Sequence, residues 1–223
     1  MSSCTRLLGS LVLGLAATAL QAQEINFGVI ATDSASTQRE RWEPFFADMA
    51  KKTGLTIKSF YAPDYAGVIE AMRFNKVQVA WMGNKAAMEA VDRSSGEVFA
   101  QVMYADGTFG YHGLLVAHKA SPYNNVDDVL AKQVDVATNN TEDLTKLESS
   151  KPELASQVKV LWKSPLIPSD PFVWRKDLDP AVKAKLKTFV LGYAKTDPAE
   201  KAILKNIYSY GGFRESSNDQ LIP

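Results

Sequence analysis

Residues with strong intrinsic chemistry are few in this chain. There are two histidines, His112 and His118, and a single cysteine, Cys4. Two histidines six residues apart need further ligands to hold a metal, and one cysteine cannot form an internal disulfide or a cysteine-based zinc cluster. The sequence contains no G-x-S-x-G motif, no H-E-x-x-H motif and no Cys–His arrangement suited to nucleophilic catalysis. We therefore expect a binding protein without enzymatic activity, metal or cofactor.

Hydroxyl and carboxylate side chains are the remaining candidates for ligand contact. Thr32–Thr37 (TDSAST) lies between a predicted strand and a predicted helix, where its hydroxyl and N–H groups suit an anion or a helix cap. Glu142 opens a predicted helix and also fits a role at the helix dipole. Asp170 follows a proline-rich loop, where acids are often only solvated. As a pair, these acids could cleave a glycoside only at a separation of about 5–10 Å.

The composition limits the classes of protein to consider. The chain has 223 residues, of which 46% are hydrophobic and 22% charged, as in ordinary globular proteins. Lys and Arg together number 25, and so do Asp and Glu. The chain therefore lacks the basic excess of a protein that binds nucleic-acid phosphates, and we expect no nucleic-acid partner.

The first residues have the layout of a secretory signal peptide. Arg6 precedes an apolar run over Leu7–Ala19, and small residues suit cleavage after Ala19 or Ala22. The run is short for a membrane span, which takes about 20 residues. We assign residues 1–22 to a signal peptide and expect an exported, cysteine-free mature protein; a buried N-terminal helix is the alternative.

After residue 23 the chain alternates β-rich runs with amphipathic helical patterns. Apolar residues recur every three or four positions in the helical segments, and β-branched and aromatic residues mark the strands. The predicted strands are Ile25–Ile30, Thr56–Tyr61, Val77–Trp81 and Val98–Met103, and the predicted helices are Ser36–Lys52, Asp64–Phe74 and Asn84–Arg93. This βαβαβαβ order predicts an α/β protein with a mostly parallel sheet covered by helices on both faces.

A second section of the chain begins near residue 110. The predicted strands here are Gly110–His118, Gln133–Ala137, Val158–Trp162 and Phe172–Arg175, and the predicted helices are Asn125–Ala131, Thr141–Ser149, Pro180–Tyr193 and Asp197–Ile207. Trp81 and Trp162 lie on predicted strands, where we expect them in the core. A long first section, a smaller middle section and a return suggest two lobes with a small molecule bound in the cleft.

Eight short segments, in this order, resemble the periplasmic phosphonate-binding proteins of phosphonate ABC transporters. They are Asn26–Ile30, Tyr61–Gly67, Met72–Lys76, Ala80–Asn84, Met88–Arg93, Val134–Glu142, Trp162–Pro168 and Asp170–Lys176. The resemblance implies a two-lobed type II periplasmic-binding-protein fold and a periplasmic location. It also implies an organophosphonate ligand such as 2-aminoethylphosphonate, an ABC transporter permease in the inner membrane as partner, and no catalysis.

The resemblance further implies four ligand-binding residues. Tyr65 in APDYAG matches the tyrosine whose hydroxyl reaches the phosphonate group, and Tyr111 in GYHG matches an aromatic residue that lines the cleft. Glu142 and Asp170 match the carboxylates that hold a substrate amine. The chemistry agrees with these roles, because hydroxyl groups suit a phosphonate and an ammonium group needs ionised acceptors.

Part of the family's second lobe is missing from the sequence. Lys132 runs directly into Gln133, where the family continues with a Ser-Thr-Ser run and a histidine at the phosphonate, and the chain stops at Pro223 before the family's helical tail. We therefore predict a first lobe from residues 23–109 and 162–223 and a truncated second lobe, residues 110–161, with a thin core. There is barely room for a parallel crossover between the GLLVA and QVDVA strands.

The missing segment also bears on function. Each charge-assisted hydrogen bond is worth about 1.5–3 kcal/mol, so losing the Ser-Thr-Ser donors predicts much weaker phosphonate binding. The favoured interpretation is a solute-binding protein for phosphonate uptake that is impaired by this deletion. Phosphite, phosphate or another small anion is an alternative ligand, and a remnant that folds without binding is another alternative. An exported enzyme is the least favoured interpretation.

Overall fold

The strands of the protein form three sheets. A computed structural model describes residues 23–124 and 136–222. In chain order the strands are β1 (Glu24–Val29), β2 (Thr56–Tyr61), β3 (Val79–Trp81), β4 (Gly96–Tyr104), β5 (Gly110–Tyr111), β6 (Gly113–His118), β7 (Ala137–Asn140), β8 (Val158–Lys163), β9 (Ile167–Pro168), β10 (Pro171–Arg175) and β11 (Tyr210–Glu215). The helices are α1 (Ala35–Thr53), α2 (Tyr65–Arg73), α3 (Asn84–Arg93), α4 (Thr141–Ser150), α5 (Pro152–Ala155), α6 (Pro180–Gly192) and α7 (Pro198–Tyr208), followed by a 3₁₀ helix (Asn218–Leu221).

Some predictions lie outside this described part of the chain. They are the signal peptide, the helix Asn125–Ala131 and the first residues of the strand Gln133–Ala137. Within residues 23–124 and 136–222, no helix combines the length and the apolar character needed to cross a membrane.

The main sheet has six strands in the order β11-β4-β10-β3-β1-β2. Strand β1 pairs in parallel with β2 and β3, whereas β10 runs antiparallel to both β3 and β4, and β11 runs antiparallel to β4. The predicted mostly parallel sheet is therefore wrong. The cause is topological: β10 comes from the return segment and enters the middle of the sheet against the direction of its two neighbours.

Helix α1 packs an aromatic face against the main sheet. Trp42, Phe45 and Met49 have no exposed surface, which is the stripe that the three- to four-residue spacing predicts. The side chain of Ser34 accepts a hydrogen bond from the N–H of Thr37 at 3.2 Å and so caps the helix. In the structure the hydroxyl-rich segment after β1 therefore serves as a helix cap.

The small sheet has the strand order β7-β6-β8, and both outer strands are antiparallel to β6. The expected parallel crossover is therefore wrong, because antiparallel neighbours need no helical connection. Of the side chains on these three strands only Leu114 and Ala117 are buried, so the core is thin, as predicted. Trp81 in the main sheet is buried as predicted, but Trp162 on β8 is 47% exposed. Its predicted burial is wrong because β8 is an edge strand over this thin core.

The chain passes between the main and small sheets through β5 and β9. These strands pair antiparallel, with Gly110 opposite Pro168 and Tyr111 opposite Ile167. The predicted single strand over residues 110–118 is split at His112, whose N–H donates to Thr141 Oγ1 at 3.1 Å instead of continuing the ladder. The lobe boundaries given above, 109/110 and 161/162, stay predictions.

Gly110 lies where β5 and β9 approach each other closely. A Cβ atom at this position would stand 2.7 Å from the carbonyl oxygen of Ile167 and 2.9 Å from Leu166 Cγ. We expect Gly110→Ala to lower the free energy of unfolding by about 1–3 kcal/mol, the usual cost of overpacking, as measured by urea denaturation. Gly192→Ala is the matched control, because nothing lies within 4 Å of that Cβ position and alanine favours a helix. A loss of stability in the control as large as in Gly110→Ala would contradict the argument.

Candidate functional site

The carboxyl ends of the parallel strands of the main sheet form one side of a cleft. Ligands of open α/β sheets bind at this edge. Tyr65 begins α2 just after β2, and Asp64 caps this helix by accepting the N–H of Gly67 at 2.8 Å. Gly83 follows β3, and a Cβ atom built on it would lie 3.7 Å from Tyr65 Cε1 and 3.9 Å from Asp170 Oδ1. Tyr65 and Asp170 therefore flank the same point of the cleft, although they are far apart in sequence.

Tyr111 and Glu142 come from the opposite side of the cleft. Tyr111 is the second residue of β5, and Glu142 lies in the first turn of α4. The start of α4 is fixed to the end of β5 by two hydrogen bonds, because His112 donates its N–H to Thr141 Oγ1 and accepts the N–H of Thr141 at 3.0 Å. Asn140 caps α4 by accepting the N–H of Asp143 at 2.8 Å. These contacts hold Tyr111 and Glu142 as one unit.

Tyr111 and Glu142 line a cavity of about 740 Å³. Its wall also includes Tyr104 and, from α4, Thr145 and Lys146. Tyr65 and Asp170 are not among the residues that line it. They belong to the same site through electrostatic interaction, since both raise the pKa of Tyr111.

The two acids of the site have raised pKa values. Burial raises the pKa of Asp170 to about 7, and the neighbouring Glu142 carboxylate contributes in the same direction. Asp170 is partly buried. Burial also raises the pKa of Glu142, against the lowering effect of Tyr104 and of the Lys146 ammonium. In the described part of the chain, neither acid forms an ion pair within 4.0 Å; the nearby Lys146 pairs with Asp143 at 3.4 Å.

The two predicted tyrosines share this environment. Burial, and then Asp170 and Glu142, raise the pKa of Tyr111 to about 12. Burial and the charge of Asp170 raise the pKa of Tyr65. The structure thus brings all four predicted residues together around one cleft; their ligand contacts stay a prediction.

Sequence reasoning missed three further residues of the site. Tyr104, at the end of β4, faces Glu142, which raises its pKa after the larger effect of burial. Tyr210 on β11 is buried, with its ring centroid 5.9 Å from that of Tyr104. The hydroxyl of Ser169 is buried and has no hydrogen-bond partner within residues 23–124 and 136–222. Only Ser169 had a sequence signal, because it precedes Asp170 in the same loop; the tyrosines look like ordinary core aromatics.

His112 has a positional role in this arrangement. Its Nδ1 lies 2.8 Å from the carbonyl oxygen of Ser164, so the ring bridges the two chain crossings between the sheets. Among the residues that the structure describes, no three His, Cys, Asp or Glu side chains are grouped to hold a metal.

Known proteins resemble this chain over most of its length. The family model for the periplasmic substrate-binding protein of phosphonate ABC transporters matches residues 27–129 and 124–221. The phosphonates-binding periplasmic protein of Escherichia coli (strain K12) is 43% identical over 256 residues, which covers 91% of this chain and 75% of that protein.

Solved structures agree with this assignment. A binding protein component of an ABC phosphonate transporter from Pseudomonas aeruginosa has a TM-score of 0.78 and 40% identity, with 91% of this chain and 84% of that chain covered. PhnD1 from Prochlorococcus marinus (MIT 9301), solved in complex with methylphosphonate, has a TM-score of 0.73 over 90% of this chain and 95% of that chain. At 13% identity it supports the fold alone.

The family match comes in two parts that overlap at residues 124–129, close to the Lys132–Gln133 junction where residues are predicted to be missing. The fold is therefore the two-lobed type II periplasmic-binding-protein fold with a truncated second lobe. The chain belongs to the family of periplasmic phosphonate-binding proteins of ABC transporters.

Proposed function

We propose that this protein binds an organophosphonate that carries an amino group, such as 2-aminoethylphosphonate, and delivers it to an ABC transporter permease in the inner membrane. A signal peptide over residues 1–22 directs it to the periplasm. The proposal includes no covalent step, in keeping with relatives that are binding proteins.

The observation that carries the proposal is a pair of neighbouring acids, neither of which forms an ion pair in the described part of the chain. The Glu142 carboxylate adds to the electrostatic cost of ionising the buried Asp170, and no described lysine or arginine forms an ion pair within 4.0 Å with either acid; Lys146 lowers the pKa of Glu142 without forming such a pair. A buried carboxylate is costly unless a positive partner compensates for its desolvation. An ammonium group on the ligand supplies that partner, which a simple anion cannot do.

Hydroxyl groups are available for the phosphonate end of such a ligand. The raised pKa values of Tyr65 and Tyr111 keep both phenols protonated at neutral pH, so both can donate a hydrogen bond. Thr145 adds a hydroxyl to the cavity wall, and Lys146 adds a positive charge. Because the Ser-Thr-Ser run of the family is missing, we expect affinity in the micromolar range or weaker.

Calorimetry with 2-aminoethylphosphonate and ethylphosphonate tests the proposal, because the two ligands differ by the ammonium group. We expect 2-aminoethylphosphonate to bind at least about tenfold more tightly, a difference of about 1.4 kcal/mol. Equal binding of ethylphosphonate or phosphate supports the simple-anion alternative, and no heat with any of the three supports a non-binding remnant. Sub-micromolar affinity contradicts the expected weakening, and turnover of a ligand overturns the proposal.

The preference for the amino ligand should depend on pH. Since the pKa of Asp170 is raised to about 7, this carboxyl is mostly protonated in acid and ionised above neutrality. Below that pKa, ammonium binding must release a proton, so the ratio of the two affinities should rise by up to about tenfold per pH unit from about pH 5 and level off above about pH 7. The ammonium group lowers the phosphonate pKa of 2-aminoethylphosphonate relative to that of ethylphosphonate, so each affinity must first be corrected for the measured ionisation of its own ligand. A ratio that does not change between these pH values would exclude Asp170 as the ammonium partner.

A further inference from the structure

Two amide side chains from distant parts of the chain hold the backbone just before Asp170. Asn84, the first residue of α3, donates its Nδ2 to the carbonyl oxygen of Pro168 at 2.6 Å. Gln220 of the 3₁₀ helix donates its Nε2 to the carbonyl oxygen of Ser169 at 3.2 Å and to Asn84 Oδ1 at 3.0 Å. We call Asn84 and Gln220 the amide clamp.

The clamp is itself fixed in orientation. The hydroxyl of Ser216 donates to Gln220 Oε1, which turns the amide nitrogen of Gln220 toward Asn84 and Ser169. Asn218 ties the same 3₁₀ helix to β4 by accepting the N–H of Val98 at 2.9 Å. The helix has no fully buried residue, and only Leu221 packs against the core, so these polar contacts contribute to where it lies.

The clamped segment is the link between β9 and β10. Ser169 has no exposed surface, its N–H donates to the carbonyl oxygen of Phe109 at 3.0 Å, and the carbonyl oxygen of Asp170 accepts the N–H of Val102 at 3.2 Å. The backbone around Asp170 is thus held on every side. The Asp170 carboxylate, in contrast, forms no ion pair with any residue that the structure describes.

We infer that the amide clamp is a positioning device that sets the Asp170 carboxylate against Glu142 and Tyr65 and so determines the selectivity for an amino-bearing ligand. The selectivity part rests on the proposed function. The physical reason is geometric: a charge-assisted hydrogen bond depends strongly on the positions of its two groups, so a displaced carboxylate holds an ammonium group less tightly. Neither clamp residue needs to touch the ligand.

Gln220→Met tests the inference, because methionine keeps the length of the side chain but cannot donate to Ser169 or Asn84. Asn84→Ala is the second variant, and it removes the bond to Pro168. Gln78→Met is the matched control: Gln78 also bridges polar groups, donating to the carbonyl oxygen of Asn75 at 2.8 Å, but it lies just before β3, at the opposite end of the sheet. All three variants lose side-chain hydrogen bonds, so all three should lose some stability.

The variants should differ in ligand selectivity. We expect the clamp variants to lose about 10-fold or more in affinity for 2-aminoethylphosphonate and less than about threefold for ethylphosphonate, measured by calorimetry. The Gln78→Met control should change neither affinity beyond about threefold. Equal losses for both ligands in the clamp variants, or the same pattern in the control, would reduce the clamp to a stability element and overturn the inference.

A second readout does not depend on the ligand. Carbon-13 NMR titration of the Asp170 carboxyl should give a pKa of about 7 in the wild type and a value nearer the ordinary one in the clamp variants, with no change in Gln78→Met. An unchanged titration in both clamp variants overturns the inference. If the wild type does not prefer the amino ligand, the proposed function is wrong. The positioning of Asp170 by the amide clamp is then tested by the titration alone.

Discussion

The Asp170→Asn substitution is expected to weaken binding of 2-aminoethylphosphonate by about 100-fold or more, and at the same time to stabilise the unliganded protein. Truncating or neutralising one partner of a desolvated charge pair costs about 2–5 kcal/mol of binding free energy. Asparagine has almost the volume of aspartate, so the cleft keeps its shape. The two effects have opposite signs because the proposed role of the carboxylate is to bind the ligand, whereas its burial destabilises the fold.

The gain in stability expected for Asp170→Asn is confined to a defined pH range. The pKa of Asp170 is raised from 3.8 to about 7 on folding, so the folded state holds this proton more tightly than the unfolded chain. The free energy of unfolding therefore falls as the pH rises from about 4 to about 7, by a few kcal/mol at most. Asp170→Asn removes that fall and should gain stability at neutral pH but hardly any below about pH 4.

Urea denaturation at several pH values and calorimetry with both phosphonates measure the two effects. Asp143→Asn is the control, because Asp143 follows the site residue Glu142 in the first turn of α4 but is exposed and paired with Lys146. We expect the control to change either quantity by less than about 0.5 kcal/mol. Loss of stability in Asp170→Asn at neutral pH, or unchanged affinity for the amino ligand, would show that the carboxylate has a structural role.

The Phe172→Ala substitution is expected to lower the free energy of unfolding by about 3–5 kcal/mol. Phe172 on β10 has no exposed surface, and its ring centroid lies 5.0 Å from that of Phe213 and 5.6 Å from that of Phe27. Removing it leaves a cavity at the centre of the aromatic core, where α1, β1 and β11 meet. Since domains are stable by only about 5–15 kcal/mol, the variant should be close to unfolding at 37 °C.

Thermal and urea unfolding measure this loss, with Phe74→Ala as the control. Phe74 follows α2 and is 66% exposed, so its removal should cost less than about 0.5 kcal/mol. Comparable losses in the two variants would mean that the aromatic cluster does not provide the central packing of the main sheet.

The helices of this protein are well predicted by the sequence because their signals are local. The spacing of apolar residues places α3 at Asn84–Arg93 as observed, and Asp64, the first residue of the predicted second helix, is the side chain that caps α2. The direction of β10 has no local signal, because it depends on where the return segment enters the sheet. Strand β11 (YGGFRE) was missed because it contains two glycines and no β-branched residue, and so lacks the composition that marks a strand.

The candidate site likewise has residues with a local sequence signal and residues without one. Tyr65, Tyr111, Glu142 and Asp170 carry motif signals, and the structure places them around one cleft. Tyr104 and the amide clamp carry none, because their importance arises from tertiary contacts between segments that are distant in sequence. Trp162 carries a signal that misleads. An aromatic residue on a strand predicts burial, but the small sheet buries few side chains and Trp162 is exposed.

The late position of β10 in the chain has a consequence for how the molecule is made. Strands β3 and β4 never pair with each other; residues 171–175 join them, and both neighbours of β4 follow it in sequence. During synthesis the central sheet therefore cannot form completely until most of the chain has been made. Non-local pairing of this kind slows folding and leaves strand edges open to aggregation. Slow completion of the sheet also keeps the polypeptide unfolded for longer, and an unfolded chain is the form that a translocation channel can accept.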